Sequence, residues 1–370
     1  MSPATRTTSY PEMRAERREA LRATVRAQDV DALLVTDLTN IGYLTGFTGS
    51  NAALLVSAAG DDASLLCTDS RYAIQARDEA PDLKLRIDKT CDTALLANTM
   101  AKRIGFEEHV VTVARHRVLT GAATPGTALV PANGWVEKLR EVKDAGEIAM
   151  LRRACEIADT ALTELLAAGG LRPGRTERAA ALDLDERMRA LGSEDVSFPT
   201  ILAAGENSAI PHHRPTGREM RLGDLVKIDF GAVAGGYHSD MTRMFVLGPP
   251  AGWQLEVHAL VAAAQQAGRD AVCAGATASA VDAAARDVIV AAGHGEHFGH
   301  GLGHGVGLQV HEAPWFAPSS TGIMANDMTV TVEPGVYLPG RGGVRIEDSG
   351  VVGADGFEPL TLSPRDLLAL

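Results

Sequence analysis

The chain has 370 residues, 45% of them apolar, and carries a formal charge of −12. That length is too great for one small core and predicts two domains, while the composition excludes disordered and fibrous proteins. The acidic balance argues against a nucleic-acid partner, which needs a basic face. The four cysteines, none in a CxxC, exclude a zinc ribbon or a disulfide framework and read as buried free thiols.

The opening stretch has no apolar leader, and no apolar run approaches about 18 residues. No signal peptide, no membrane span and a cytoplasmic location are therefore expected. From Pro11 to Gln28 the charged, amphipathic pattern predicts a surface helix. "DALLV", "NAALLVS" and "ASLLCT" read as strands, and "DSRYAIQARDEA" as a helix with an Asp cap. Strand and helix signals alternate to about Leu129, which predicts a small mixed α/β domain over 1–135. After the break at Pro131–Gly134, one long helical stretch is expected to open a second domain, 136–370. A helix near 176–191 follows. Strands are expected near 199–204, 224–231 and 237–247, then helices near 253–272 and 277–292. Further strands to about 353 and a short terminal helix complete the reading.

Two stretches carry chemistry. In "LVKIDFGAVAGGYHSDMTRMF" two apolar runs flank a turn signal, as in a β-hairpin. A turn on Ala234-Gly235 places Asp229 opposite Asp240, with Cβ atoms about 4.5–5.5 Å apart. "TVTVEPGVYLPGRGGVRIEDSG" repeats the design: Glu333 and Glu347 are symmetric about Gly340. Each acid alone reads as a solvated strand residue or an ion-pair partner, and Lys227, Arg243 and Arg345 stand near enough in sequence to neutralise some charge. Two acid pairs, each at hairpin symmetry in apolar strands, instead call for cations between them. "HFGHGLGHGVGLQVHE", with His294 upstream, adds five histidines among glycines. One imidazole completes an oxygen-rich shell for divalent ions. Its glycines are expected to let backbone pass close by and to take positive φ.

The motifs "DFGAVAGGYHSDMTR", "GHGLGHGVGLQVHEAP", "TVEPGVY" and "GVRIED" resemble the pita-bread metallopeptidases, in their aminopeptidase P and prolidase branch. "YLTGFTGSNAALLV" and "TDSRYAIQA" are similar to the creatinase/prolidase-type N-terminal domain. The resemblance implies an α+β protein, a small mixed N-terminal domain followed by a pita-bread catalytic domain. It implies two divalent ions per chain, Mn²⁺ first, with Co²⁺ or Zn²⁺ as alternatives, held by Asp229, Asp240, His304, Glu333 and Glu347. Asp240 and Glu347 bridge in that reading. Glu333 also handles the proton of the attacking water. His212 and His311 are implied as catalytic histidines, with His213 as the neighbour that competes with His212. His300, Tyr337 and Arg345 are implied around the substrate. His294 and His297 match no functional position.

The activity implied is an Xaa-Pro aminopeptidase acting on peptides with proline second, alternatively an Xaa-Pro dipeptidase. An Xaa-Pro bond is a tertiary amide without N–H, so its site must fit the ring. Methionine aminopeptidase shares the core but not the N-terminal domain. A metal-independent creatinase or a non-catalytic binding homologue is the remote alternative, opposed by the complete set of ligand types. A homodimer is implied; a nucleic-acid or membrane partner is not.

Overall fold

The computed structural model describes residues 10–97 and 99–370. The segment before Tyr10, part of the stretch in which no apolar leader is expected, lies outside them. The chain forms two compact units, one running to Arg140 and the other from Glu141 to Leu370.

The first unit contains α1 (Tyr10–Ala27), β1 (Ala32–Val35), α2 (Leu38–Thr45), β2 (Ala52–Ser57), β3 (Leu65–Thr68), α3 (Ala73–Glu79) and β4 (Lys84–Ile87). It continues with α4 (Cys91–Ala97), β5 (Arg103–Glu107), α5 (Val113–Ala122), β6 (Ala128–Ala132) and α6 (Trp135–Arg140). Its sheet runs β4-β3-β2-β1-β5-β6. β1, β2 and β3 pair antiparallel and the other neighbours parallel. The apolar runs of β1 and β2 are buried as read, and Cys67 and Cys91 lie in the same core. Arg18 of α1 is fully buried. Its guanidinium pairs with Asp61 at 2.9 Å and donates to the carbonyl of Leu44 at 2.8 Å, which makes its burial tolerable.

The helical stretch after Gly134 is two helices. α6 ends at Arg140, and α7 (Ala145–Ala167) starts anew because Asp144 and Glu147 form a reciprocal capping box. The second unit continues with α8 (Glu177–Ala190), β7 (Ile201–Ala204), β8 (Leu225–Phe230), β9 (Val233–Ala234), β10 (Tyr237–His238) and β11 (Met241–Val246). Then come α9 (Gly252–Ala271), α10 (Ala278–Ala291), β12 (Gly303–Gly305), β13 (Glu312–Phe316), β14 (Thr329–Val332) and β15 (Gly335–Leu338). β16 (Gly342–Arg345), β17 (Asp348–Gly353), β18 (Gly356–Pro359) and β19 (Leu368–Ala369) end the chain. The two larger sheets run β19-β11-β8-β7 and β13-β12-β14-β17-β18, and β9–β10 and β15–β16 form two-stranded sheets. α7 and α8 bury Ile157, Leu165, Leu184 and Met188 against Val226, Ile228 and Phe230 of β8. Strand alternation turns Lys227 and Asp229 to the other face. α9 and α10 bury Val261, Val281 and Ile289 with Val330 and Val332 of β14.

No helix among the described residues is long and apolar enough to cross a membrane. The expected terminal helix is the strand β19, parallel to β11. So short an apolar run cannot nucleate a helix in isolation, and pairing with β11 satisfies its backbone: Leu370 N–H donates to the carbonyl of Val246 at 2.9 Å. Cys273 is exposed, whereas the other three thiols are buried as read.

The glycines around β12 serve close approach and not left-handed backbone, since none from Gly299 to Gly307 has positive φ. A Cβ on Gly303 would stand 2.1 Å from the carbonyl oxygen of Thr331, and one on Gly305 2.1 Å from that of Ala313. β12 is thus wedged between two backbones. Gly303→Ala is expected to cost about 1–3 kcal/mol, as overpacking does, and to displace His304. Thermal unfolding measures the cost, and an unchanged melting temperature would show that the strand relaxes freely.

Candidate metal centre

The first hairpin turns on Gly235-Gly236, one residue later than read. Both have positive φ, 58° and 77°, as a type I′ turn requires at its two central positions. Ala234 in the earlier register would bear that strain. Thr242, and not Asp240, therefore faces Asp229. The slip displaces Asp240 by two residues along its strand, which preserves its face, so the two carboxylates still converge. The second pair keeps the symmetry about Gly340. β15 and β16 pair Gly335 with Arg345, and β14 and β17 pair Val332 with Asp348 in the same register. Glu333 and Glu347 sit at the junction of the two ladders. Their N–H groups turn instead to the carbonyls of Leu302 at 2.8 Å and Thr242 at 3.3 Å.

β12 brings His304 to this junction. Its Nε2 lies 3.2 Å from Glu333 Oε1 and 3.7 Å from Asp240 Oδ2. Nδ1 lies 3.0 Å from the carbonyl of Gly305, which orients the ring with Nε2 toward the acids. Three overlapping donor sets result: Asp229, Asp240 and Glu347; His304, Glu333 and Glu347; and Asp240, His304 and His311, each with its donor atoms within 4.8 Å of one another.

The electrostatics are those of a site short of positive charge. Burial pushes Asp240 well above the usual carboxylate range, and the charges of Glu347, Asp229 and Glu333 add to it. Glu347 is pushed well up by burial and then by Glu333 and Asp229. Burial also raises Glu333, but the His304 hydrogen bond and the charges of His304, His300 and Arg345 outweigh it and bring this carboxyl down to about 2. Burial lowers His304, and Glu333 more than restores it, so its pKa is raised. Asp229 Oδ2 accepts from the Arg345 guanidinium, while its buried Oδ1 has no hydrogen-bond partner among the described residues. An orphaned carboxylate oxygen beside three further acids fits divalent cations.

The acids line one face of a cavity of about 240 Å³, together with His304, His311, His212, His213 and Arg214; Phe198, Pro199, Ile201 and Pro215 provide apolar wall. His311 packs edge-on against His304, ring centroids 4.4 Å apart. It is expected as a catalytic group, and its position also suits ligation. Its pKa is lowered by burial and then by His304. Between the two adjacent histidines, His213 is committed: its Nε2 meets Glu177 Oε2 at 2.9 Å. His212 forms no hydrogen bond among the described residues and is exposed.

His300, Tyr337 and Arg345 are not in the cavity wall. They form a hydrogen-bonded chain behind Asp229. His300 Nε2 meets Tyr337 Oη at 2.9 Å, and Arg345 donates to the same oxygen at 2.9 Å. Arg345 Nε also donates to Thr242 Oγ1 at 3.0 Å, and that hydroxyl donates to Glu347 Oε2 at 2.7 Å. Of the suggested neutralising cations, Arg345 alone contacts a site carboxylate. Arg243 pairs with Asp348 at 2.7 Å. His294 and His297 contact each other at 3.2 Å.

Two further buried residues, Glu177 and Lys227, position the site. Glu177, read only as part of a helix, is fully buried at the start of α8. It accepts from Ala204 N and Asn207 Nδ2 at 2.9 Å, and from Thr216 Oγ1 at 2.7 Å, besides His213. Burial raises its pKa, but these bonds win and hold it at about 2. Lys227, fully buried, donates to the carbonyls of Ser208, Ile210 and Pro211 at 3.1, 2.7 and 3.2 Å. A lysine inside "LVKIDF" was the available signal; for Glu177 there was none.

Acids and an imidazole gathered on a cavity in this way characterise a metal-dependent hydrolase. The chain belongs to Metallopeptidase family M24, whose match spans residues 149–354, and residues 17–142 match the Creatinase/Prolidase N-terminal domain. An Xaa-Pro dipeptidase of Pyrococcus horikoshii is 33% identical over 92% of this chain and 95% of its own. The solved Xaa-Pro dipeptidase from Bacillus anthracis superposes with a TM-score of 0.92 at 36% identity, covering 96% of this chain and all of that one. The X-Pro aminopeptidase from Thermotoga maritima gives 0.87 at 36% identity, covering 95% and 99%. The fold is therefore the expected one, a creatinase-type N-terminal domain followed by a metallopeptidase catalytic domain, and the chain is a metallo-exopeptidase. Membership implies divalent metal ions, and donor groups able to hold them are present.

Proposed function

We propose that the chain hydrolyses the peptide bond preceding proline, with two divalent ions held by Asp229, Asp240, His304, Glu333 and Glu347. The observation that carries this is the overlap of three donor sets on one cavity, with Asp240 and Glu347 each shared between sets. Mn²⁺ is the first expectation, with Co²⁺ and Zn²⁺ as alternatives, since the ligand types suit all three. Bound ions supply Lewis-acid charge, which acidifies a water and polarises the scissile carbonyl.

The side chains do the rest. Glu333 is the most accessible of the four acids, its side chain 16% exposed against 9% for Asp229 and 5% for Asp240, with Glu347 buried. That accessibility supports Glu333 as the carboxylate that takes a proton from water and returns it to the leaving nitrogen. His212 and His311 stand in the cavity wall, where an N–H can hold the developing oxyanion. His300, Tyr337 and Arg345 brace Asp229 and Glu347 in this reading, from behind the cavity wall. A homodimer and a cytoplasmic location belong to the same reading and rest on the resemblance.

Between the two exopeptidase forms, the dipeptidase is preferred, because the similar proteins of Pyrococcus horikoshii and Bacillus anthracis are named Xaa-Pro dipeptidases. The Thermotoga maritima protein supports the aminopeptidase form as the second reading. The test is a panel of Xaa-Pro, Xaa-Pro-Yaa and Xaa-Ala peptides with Mn²⁺-loaded protein. Xaa-Pro is expected to be cleaved fastest and Xaa-Ala at least about tenfold more slowly, the scale of a pocket that discriminates by shape. Equal cleavage of Xaa-Ala would remove the proline preference.

A further inference from the structure

We propose that the buried ion pair of Lys143 and Glu312 is a positioning device that holds His311 at the metal centre, an inference that rests on the reading of His311 above as a catalytic group. Among the described residues the His311 side chain makes no hydrogen bond, and its ring contact is the edge-on one with His304, centroids 4.4 Å apart. The strand ladder does not fix it either. His304 pairs with Trp315, but the next residue, Gly305, pairs with Glu312. Ala313 and Pro314 bulge out of the ladder between them, and His311 lies just beyond its last pair. A ladder interrupted in this way leaves the register of the incoming segment to side chains.

Glu312 supplies the tether. Its carboxylate meets Lys143 Nζ at 2.7 Å, with 7% of the glutamate side chain and 1% of the lysine side chain exposed. Lys143 is itself fixed just before α7. Its N–H donates to the carbonyl of Asp327 at 2.9 Å, and Val142 bridges to Met328 at the entrance to β14. Nζ also donates to the carbonyl of Glu141 at 3.4 Å. The loop leading to His311 packs onto the pair, since a Cβ on Gly307 would clash with Glu312 Oε1 and crowd Lys143 Cε. A buried ion pair is a weak source of stability, because desolvation offsets its attraction, but it demands one geometry and so fixes register. Successive side chains of an extended segment point to opposite sides. Glu312 turned inward onto Lys143 therefore turns His311 the other way, to His304 and the cavity.

The experiment compares Lys143→Met, Glu312→Gln and the neutral pair Lys143→Met/Glu312→Gln on the full, Mn²⁺-loaded chain, each with His311 and with His311→Ala. Metal content, melting temperature and kcat on an Xaa-Pro dipeptide are read together. Each single variant buries an unmatched charge and the neutral pair does not, so stability should return in the neutral pair. Metal content should stay at the wild-type value, because the five proposed ligands are untouched. With His311 present, kcat should fall about ten- to hundredfold in the neutral pair, the scale of a misplaced catalytic group, with KM nearly unchanged. In the His311→Ala background the same substitutions should change kcat by less than about twofold, the non-additivity of residues that act through one another. Recovery of kcat together with stability in the neutral pair, or equal losses in both backgrounds, overturns the positioning role. A readout without turnover is the NOE between the His304 and His311 rings in the Zn²⁺-loaded chain. It should weaken in the neutral pair, and an unchanged NOE also overturns the role. Wild type that cleaves no Xaa-Pro peptide overturns the substrate reading alone, and the NOE then decides the positioning.

Discussion

Glu333→Gln is expected to lower kcat by at least about a thousandfold, within the range that a positioned acid–base group contributes. The substitution keeps the shape and one oxygen but removes the charge and the proton acceptor. His304 Nε2, 3.2 Å from Glu333 Oε1, retains a neutral partner, so the fold should survive. Metal content and turnover must be measured together, because Glu333 is proposed both as a ligand and as a proton carrier. A variant that binds its full metal complement and still turns over near the wild-type rate removes Glu333 from the proton path. One that loses metal and activity together identifies ligation as its main contribution.

Chelation is expected to lower the melting temperature of the catalytic unit by about 5–10 °C at pH 7. A ligand at a hundredfold excess over its Kd adds about 2.7 kcal/mol, and in a domain of this size each kcal/mol moves Tm by about 2–4 °C. The pH dependence follows from the raised carboxyls. In the metal-free chain Asp240 and Glu347 lie well above the ordinary range, burial first and neighbouring acids second. Folded protein then holds more protons than unfolded chain from about pH 4 up to the raised values. The metal-free form therefore loses stability as pH rises through that window. Metal binding displaces those protons and strengthens with pH. The Tm difference between metal-loaded and chelated protein should accordingly be small near pH 5 and grow toward pH 7. Asp240→Asn should bind metal poorly and respond little to chelator. Wild type that contains no metal, takes none up and melts identically with chelator would overturn the dinuclear centre.

Much of this protein is legible in its residues because two of its signals are local. Alternation of apolar and polar side chains and the 3.6-residue helical period act over a few neighbours. β8, β11, α9 and α10 accordingly lie within a few residues of where pattern puts them. The symmetry of Glu333 and Glu347 about Gly340 is likewise a property of spacing, and both flanking ladders keep it. Where a local choice is nearly balanced, the reading goes astray. The first hairpin turns on Gly235-Gly236 because two glycines accept positive φ where Ala234 would not. The terminal apolar run becomes a strand because β11 has an unpaired edge.

What the sequence determines by itself is the inventory: four acids in apolar strands, an imidazole between glycines, and two histidines side by side. Only the tertiary structure decides which of these share a volume. The buried Glu177 reaches His213 across 36 residues, and Arg345 reaches Asp229 across 116, contacts for which no spacing rule exists. It is those long-range bonds that commit His213 and Arg345 to the framework and leave His212 and Arg214 facing the cavity. The physical reason is that hydrogen bonds and ion pairs within a buried site depend on distance in space, and the folded chain sets that distance independently of separation along it.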